Sequence, residues 1–271
     1  NMSLVNTNWL KENLDKVKII DCSWHMPQTK RNGFDEYKVK HIESAIFFDL
    51  DKNSKKNTDL PHMLPDNKSW KDIVSNMGIK NDEQIVIYDN SDVISSCRCW
   101  YNFIYFGHNP ELVNVLDGGL KKWIEEDRLT TVDIIKIIPS NYTVREKKNL
   151  VKDINQINKN ILENKFNVID ARSLERFEGK VPEPRKGLRS GSIKNSFCLP
   201  FSELINQDHT FISKEKIHEK FKSTGYDVDK NIVFTCGSGV TAAVLALAYS
   251  LIDIKYMPNI YDGSWSEYGK N

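Results

Sequence analysis

A cysteine followed at once by Gly-Ser-Gly can do chemistry that an ordinary buried thiol cannot. The segment Cys236-Gly237-Ser238-Gly239-Val240-Thr241 joins a β-rich run to one rich in Ala and Leu. Its two glycines permit positive φ and close backbone approach. The loop can therefore turn its N–H groups inward as an anion-binding nest, and the helix that follows adds its positive end. A sulfur held there is stabilised as a thiolate, below the usual thiol pKa of about 8.5, and is a nucleophile at neutral pH. The competing reading is an inert core thiol, since free Cys is among the most buried residue types. The loop length narrows the chemistry. A tyrosine-phosphatase type of loop needs an arginine six residues after its cysteine to grip phosphate bidentately, and here that position is Ala242. What remains is a short loop of neutral donors around one sulfur. It suits a thiolate, or a persulfide whose outer sulfur also carries negative charge.

Three arginines lie upstream: Arg172, Arg176 and Arg185, the last directly after Pro184. A guanidinium fork suits bidentate carboxylate binding. Against that stands the ordinary fate of an arginine, a surface ion pair worth about 0–1 kcal/mol. Lys186, Arg189 and Lys194 add field nearby. Ser238, two residues after the cysteine, has a hydroxyl that can donate to a substrate or pass on a proton. The five cysteines form an odd count. Cys97 and Cys99 have a single residue between them, short of the spacing of structural zinc sites; they read as helix-packing residues. Cys22 and Cys198 sit in or beside apolar strands, with Cys198 also weighed as a redox partner of Cys236. No metal site is implied, and a disulfide framework is not expected. Trp24, Trp100, Trp123 and Trp265 read as core, with Trp265 also placed to line a site. His41, His108, His209 and His218 have no ligand spacing.

The elements that must position these residues repeat. Val17-Lys18-Ile19-Ile20-Asp21 resembles Phe166-Asn167-Val168-Ile169-Asp170, and Ile85 to Asp89 resembles Ile232 to Cys236. Val115-Leu116-Asp117-Gly118-Gly119 with Trp123 resembles Ile260-Tyr261-Asp262-Gly263-Ser264 with Trp265. The offsets, 149, 147 and 145, are nearly constant and in order, as in a duplicated domain. Short apolar strands alternate with helices, expected over Cys99–Phe106 and Val240–Ile252. That alternation predicts an α/β fold with mainly parallel sheets flanked by helices. The 271 residues suffice for two such domains, drawn at 1–138 and 139–271 with the connection at roughly 128–150. The connection carries the alternating Tyr142-Thr143-Val144 and is expected to be an ordered wrap. With 38 Lys+Arg against 37 Asp+Glu, the net charge of +1 argues against nucleic acid as a partner. The longest apolar run, Thr241 to Ile254, is too short for a bilayer, which needs about 20 residues. Asn1 to Asp15 has no apolar core of a secretory signal. A cytoplasmic, reducing setting follows as the expectation, without membrane partner.

These residues together resemble the two-domain rhodanese superfamily and, within it, the 3-mercaptopyruvate sulfurtransferases. The resemblance rests on Cys-Gly-Ser-Gly-Val-Thr-Ala from Cys236, Phe47-Phe48-Asp49-Leu50-Asp51, His62-Met63-Leu64-Pro65, Asn114 to Gly119, Asp170-Ala171-Arg172, Pro182-Glu183-Pro184-Arg185 and Tyr261 to Trp265. It covers nearly the whole chain. It implies two tandem rhodanese-like domains, the first a degenerate copy, in agreement with Asp89 standing at the repeat position of Cys236. It implies that Cys236 attacks the sulfur of 3-mercaptopyruvate, releases pyruvate and passes its persulfide sulfur to a thiol such as thioredoxin, or to cyanide. The arginines matching Arg176 and Arg185 would hold the substrate carboxylate and keto oxygen. Arg172 is either a third contact or a structural neighbour. Gly237, Gly239, Val240 and Thr241 would line the substrate loop. A Ser238–His62–Asp51 proton relay is implied as well, although His62 also reads as a plain loop histidine and Asp51 as a cap of the polar stretch from Lys52 to Asn57. No cofactor is implied, and a monomer is expected. Thiosulfate-specific rhodaneses resemble this chain but place basic residues directly after the cysteine, where Gly237 and Ser238 are neutral. Two rivals remain at this stage: a thiosulfate sulfurtransferase, and a non-enzymatic persulfide carrier.

Overall fold

The computed structural model describes residues 3–271. Five short strands open the chain: β1 (Leu4–Val5), β2 (Lys18–Asp21), β3 (Ala45–Phe47), β4 (Ile85–Tyr88) and β5 (Val113–Leu116). Five more follow: β6 (Val151–Lys152), β7 (Asn167–Asp170), β8 (Phe197–Cys198), β9 (Ile232–Thr235) and β10 (Ile260–Tyr261). They form two separate sheets with the same internal order, β1-β5-β4-β2-β3 and β6-β10-β9-β7-β8, each parallel throughout. The central strands Ile-Val-Ile-Tyr and Ile-Val-Phe-Thr are buried at every position, as parallel strands covered on both faces must be. The α/β class and the duplication read from the three spaced matches are therefore both present.

In the first unit, Val5, Ile19, Ala45, Val86, Leu116 and Trp123 share one core cluster. The helix after β4 runs over Ser96–Tyr105, and all ten of its residues are buried. It starts three residues before the expected Cys99. The reason is Asp89, whose carboxylate accepts the Ser96 N–H at 2.9 Å and satisfies a buried donor that has no partner inside the helix. Cys97 and Cys99 lie inside this buried helix. In the second unit, the helix Val240–Ile252 spans the expected range. Eight of its residues are buried, so it is apolar nearly all round, as a helix enclosed by its domain is.

The chain divides into two compact units that exchange short segments. The first gathers the residues up to Lys55, Pro65–Lys147 and Asn206–Phe211; the second gathers Lys56–Leu64, Lys148–Ile205 and Ile212–Asn271. Residues 139–147, on the far side of the boundary drawn at 138, pack on the first unit. Tyr142 is buried there with its hydroxyl 2.8 Å from His108 Nδ1. The Arg145 and Lys147 N–H groups bond to the carbonyls of Phe106 and Tyr105. The wrap is extended but pairs with no strand: the Arg145 and Lys147 N–H groups go to a helix end, and those of Tyr142 and Thr143 go to the Ser75 and Asn81 side chains. Segment 206–211 is pinned to the first unit by the Phe211 N–H on Asp117 Oδ1 at 2.9 Å. Segment 56–64 is held in the second by Lys270 on Asp59 at 2.7 Å and by the Leu64 N–H on Asp262 Oδ2 at 2.7 Å.

Candidate active site

The loop sits at the carboxyl end of β9, the edge at which open parallel sheets build their sites. The register pairs Thr235 with Asp170 and Phe234 with Ile260. Cys236, Arg172 and the turn Asp262-Gly263-Ser264 are thereby brought side by side. Gly239, at φ 85, takes the left-handed conformation that ends the loop and opens the helix. Its N–H donates to Cys236 Sγ at 3.0 Å. Val240 and Thr241 open the helix, so their N–H groups are among those with no partner inside it. The Cys236 N–H donates to Ser264 Oγ at 3.2 Å, and the Cys236 and Gly237 carbonyls accept from the Trp265 and Ser266 N–H groups, each at 2.9 Å. Ser264 itself stands at φ 51, a strained value for a residue with a side chain. It is fixed by donating to the Tyr261 carbonyl and accepting from Thr235 as well as Cys236. The cysteine loop is held at its carbonyls and at the Cys236 N–H, and it turns the Gly239 N–H onto the sulfur.

Arg176 and Arg185 reach this loop from the segment after β7. A Cβ at Gly237 would stand 3.2 Å from Arg176 Nη2 and 3.4 Å from Arg185 Nη1. With a glycine here, both guanidinium tips lie against the loop backbone without a side chain between them. Arg172 is held differently. Its side chain is 1% exposed, its Nε and Nη2 grip Asp170, its Nη2 also donates to the Gly191 carbonyl, and its Nη1 lies 3.3 Å from Glu183. Its guanidinium also lies over the Trp265 ring at 4.8 Å. Burial works against the charge of Arg172. The carboxylates of Asp170 and Glu183 and the sulfur of Cys236 outweigh it and raise the guanidinium's pKa. Burial likewise favours neutral Glu183, but Arg176 and Arg172 win and hold its carboxyl below the usual range.

His62, from the exchanged segment, places Nδ1 2.9 Å from Ser238 Oγ, and both residues are buried. Asp51 belongs to the first unit, where its carboxylate accepts the Trp24 indole N–H at 3.1 Å. Of the candidate residues, the second unit thus assembles Cys236, Gly237, Ser238, Gly239, Val240, Thr241, Arg172, Arg176, Arg185 and His62. All five cysteines are free thiols. Burial pushes Cys198 up to about 12, so it stays protonated at neutral pH. Among the described residues no group of His, Cys, Asp or Glu is placed to hold a metal ion, and no helix is long and apolar enough to cross a membrane.

Sequence reasoning passed over Glu183, Asp262 and Ser264. Glu183 lay in plain view in Pro182-Glu183-Pro184-Arg185 but reads as one more surface acid. Asp262 and Ser264 stand out in the sequence only as part of a repeated turn. At the repeat position in the first unit, Asp89 replaces the sulfur with a fixed carboxylate that accepts from the Ser91 and Ser96 N–H groups, each at 2.9 Å.

Two copies of the rhodanese-like domain match the chain, over residues 6–126 and 153–271. The chain belongs to the rhodanese family. The thiosulfate/3-mercaptopyruvate sulfurtransferase 1 of Arabidopsis thaliana mitochondria is 38% identical over 98% of this chain and 75% of its own length. The 3-mercaptopyruvate sulfurtransferase of Escherichia coli is 34% identical over 98% of this chain and 94% of its own. The crystal structure of the Escherichia coli 3-mercaptopyruvate sulfotransferase SseA superposes with a TM-score of 0.88 at 31% identity, covering 98% of this chain and all of that one.

Proposed function

We propose that this chain is a 3-mercaptopyruvate sulfurtransferase working through a persulfide on Cys236. One observation carries the reading. A cysteine sulfur accepts a backbone N–H at 3.0 Å at the head of a buried helix, and two guanidinium tips stand over the adjoining glycine. The names of its sulfurtransferase relatives support it.

In the proposed reaction the Cys236 thiolate attacks the sulfur of 3-mercaptopyruvate. An S–S bond forms and the C–S bond breaks. Its electron pair passes to the methylene carbon and is spread onto the keto oxygen as an enolate. Arg176 and Arg185 hold the carboxylate and that oxygen, where charge develops. The carbon gains one proton and the persulfide loses one, so pyruvate leaves and an anionic persulfide remains in the N–H cradle. Ser238 is the proposed proton donor, with His62 at its oxygen to restore the proton, following nucleophile–base logic applied to an enolate. In the second step a thiol such as thioredoxin, or cyanide, takes the outer sulfur and returns the Cys236 thiolate. Arg172 acts as a support: its Nε and Nη2 donors are spent on Asp170 and Gly191, and its Nη1 faces Glu183 at 3.3 Å. The first unit is non-catalytic in this reading, since Asp89 offers no nucleophilic sulfur, and the proposed domain division keeps the chemistry in the second half. The enzyme is proposed to act as a cytoplasmic monomer, a setting that suits five free thiols.

A thiosulfate donor is the second reading, favoured by the double name of the Arabidopsis relative. Neutral Gly237 and Ser238 stand against it, because a dianion calls for more positive charge at the loop. Steady-state assays with both donors in parallel separate the two readings. The mercaptopyruvate reading expects the higher kcat/KM with that donor, and Arg185→Ala to raise its KM by about 10- to 100-fold. An unchanged KM in that variant removes Arg185 from the clamp.

A further inference from the structure

We infer that Glu183 is a positioning and specificity residue that aims Arg176 at the substrate and sets the charge of the clamp. The inference rests on the mercaptopyruvate reading above.

The side chain of Glu183 is 2% exposed, yet both its oxygens are engaged by cations. Oε1 accepts from Arg176 Nη2 at 2.7 Å, and Oε2 accepts from Arg176 Nε at 3.0 Å. This fork fixes the guanidinium plane of Arg176 and spends one of its edges. Nη2, one prong of that fork, is also the atom that stands against Gly237, so the hold of Glu183 sets where the guanidinium tip lies beside the loop. Without the fork, Arg176 is a long side chain on the short helix Leu174–Phe177, free to sample many rotamers. Glu183 Oε2 also lies 3.3 Å from Arg172 Nη1. One carboxylate therefore ties the clamp arginine to the arginine that is locked on Asp170.

The charges complete the argument. Arg172, Arg176 and Arg185 bring three positive charges, and Asp170 and Glu183 cancel two of them. Among these five side chains one guanidinium charge is left over, beside the Cys236 thiolate and otherwise uncharged loop residues. That suits a donor with one carboxylate better than a dianion. Pro182 and Pro184, on either side of Glu183, restrict the backbone that carries it.

The test uses the full chain with Glu183→Gln and Glu183→Asp, and the donors 3-mercaptopyruvate and thiosulfate. In Glu183→Gln, kcat/KM with mercaptopyruvate falls by about 10- to 100-fold, mainly through KM, the loss typical of a misplaced contact. The preference moves toward thiosulfate, because the clamp has gained a positive charge. Discharge of preformed Cys236 persulfide to cyanide keeps its rate, since that step does not use the donor clamp. Glu183→Asp keeps the charge and so keeps the donor preference while raising KM; it carries the test if Glu183→Gln does not fold. An equal fall with both donors together with slowed discharge makes Glu183 a merely structural residue and overturns the inference. Unchanged KM does the same. If the unmutated protein loads sulfur from neither donor, the sulfurtransferase reading fails first, which is a different result from any change among variants.

Discussion

Arg172 offers the sharpest separation of support from substrate contact. Its guanidinium is 1% exposed, paired with Asp170 at 2.7 Å and with Glu183 at 3.3 Å, and stacked on Trp265 at 4.8 Å. Replacing it by Met keeps most of the volume and the contact with the indole. It leaves Asp170 buried without the guanidinium hydrogen bonds, keeping from residue 172 the backbone N–H at 3.0 Å. Breaking one partner of a buried ion pair costs about 3–5 kcal/mol, because the other charge stays buried and uncompensated. For a unit of this size that lowers the melting temperature by about 10–20 °C. Differential scanning calorimetry of Arg172→Met against the unmutated chain measures it. Arg185→Met, at a half-buried tip, is the control and shifts stability by no more than about 1 kcal/mol. The double variant Asp170→Leu/Arg172→Met removes both charges and recovers a large part of the loss. If Arg172→Met melts within a few degrees of the unmutated protein while kcat/KM collapses, Arg172 touches substrate and its reading as a strut is wrong.

Two more outcomes follow from the same geometry. Burial raises Asp21 to about 7. Its folded form therefore holds a proton that the unfolded chain, at the ordinary carboxyl value of about 4, has released. The stability this adds is present at low pH and is lost as pH rises through 7, so the first unit is about 1.4 kcal/mol more stable at pH 6 than at pH 8 from this group. Burial moves nearby Asp89 in the same direction. Urea unfolding of Asp21→Asn at both pH values should lose that difference; an identical pH dependence in the variant removes Asp21 as its source. Ser238→Ala deletes the 2.9 Å contact with His62. The expected effect is a fall in kcat of about 10²-fold or more, as for loss of a positioned proton donor, with a stability change near 1 kcal/mol. Stopped-flow pyruvate release decides the point, and an unaltered rate would exclude Ser238 from the proton transfer.

Much of this site could be read in the residues because its signals are local. Cys236 to Thr241 lie on one loop, and the apolar runs around them are contiguous, so strand, turn and helix follow from neighbouring side chains. The duplication was legible for the same reason, through three short matches in order. What escaped depends on partners distant in the chain. The start of the helix at Ser96 is set by Asp89, and Cys97-Arg98-Cys99 gives no hint that Arg98 is fully buried. Glu183 looks like any acid until folding places it between Arg172 and Arg176. Residues 56–64 mix polar and apolar side chains without periodicity, so nothing local tells that Asp59 and Leu64 are held by the second unit. The boundary drawn at 138 divides a wrap whose hydrogen bonds continue on the first unit to Lys147.

The central claim is that Cys236 carries the transferred sulfur. Its most direct test is the intact mass of the protein after one addition of 3-mercaptopyruvate without acceptor, with released pyruvate measured in the same sample. The account predicts a gain of one sulfur atom, mapped to Cys236, with one pyruvate per chain and no gain in Cys236→Ser. Pyruvate released without added sulfur, or a sulfur gained equally by Cys236→Ser, contradicts it.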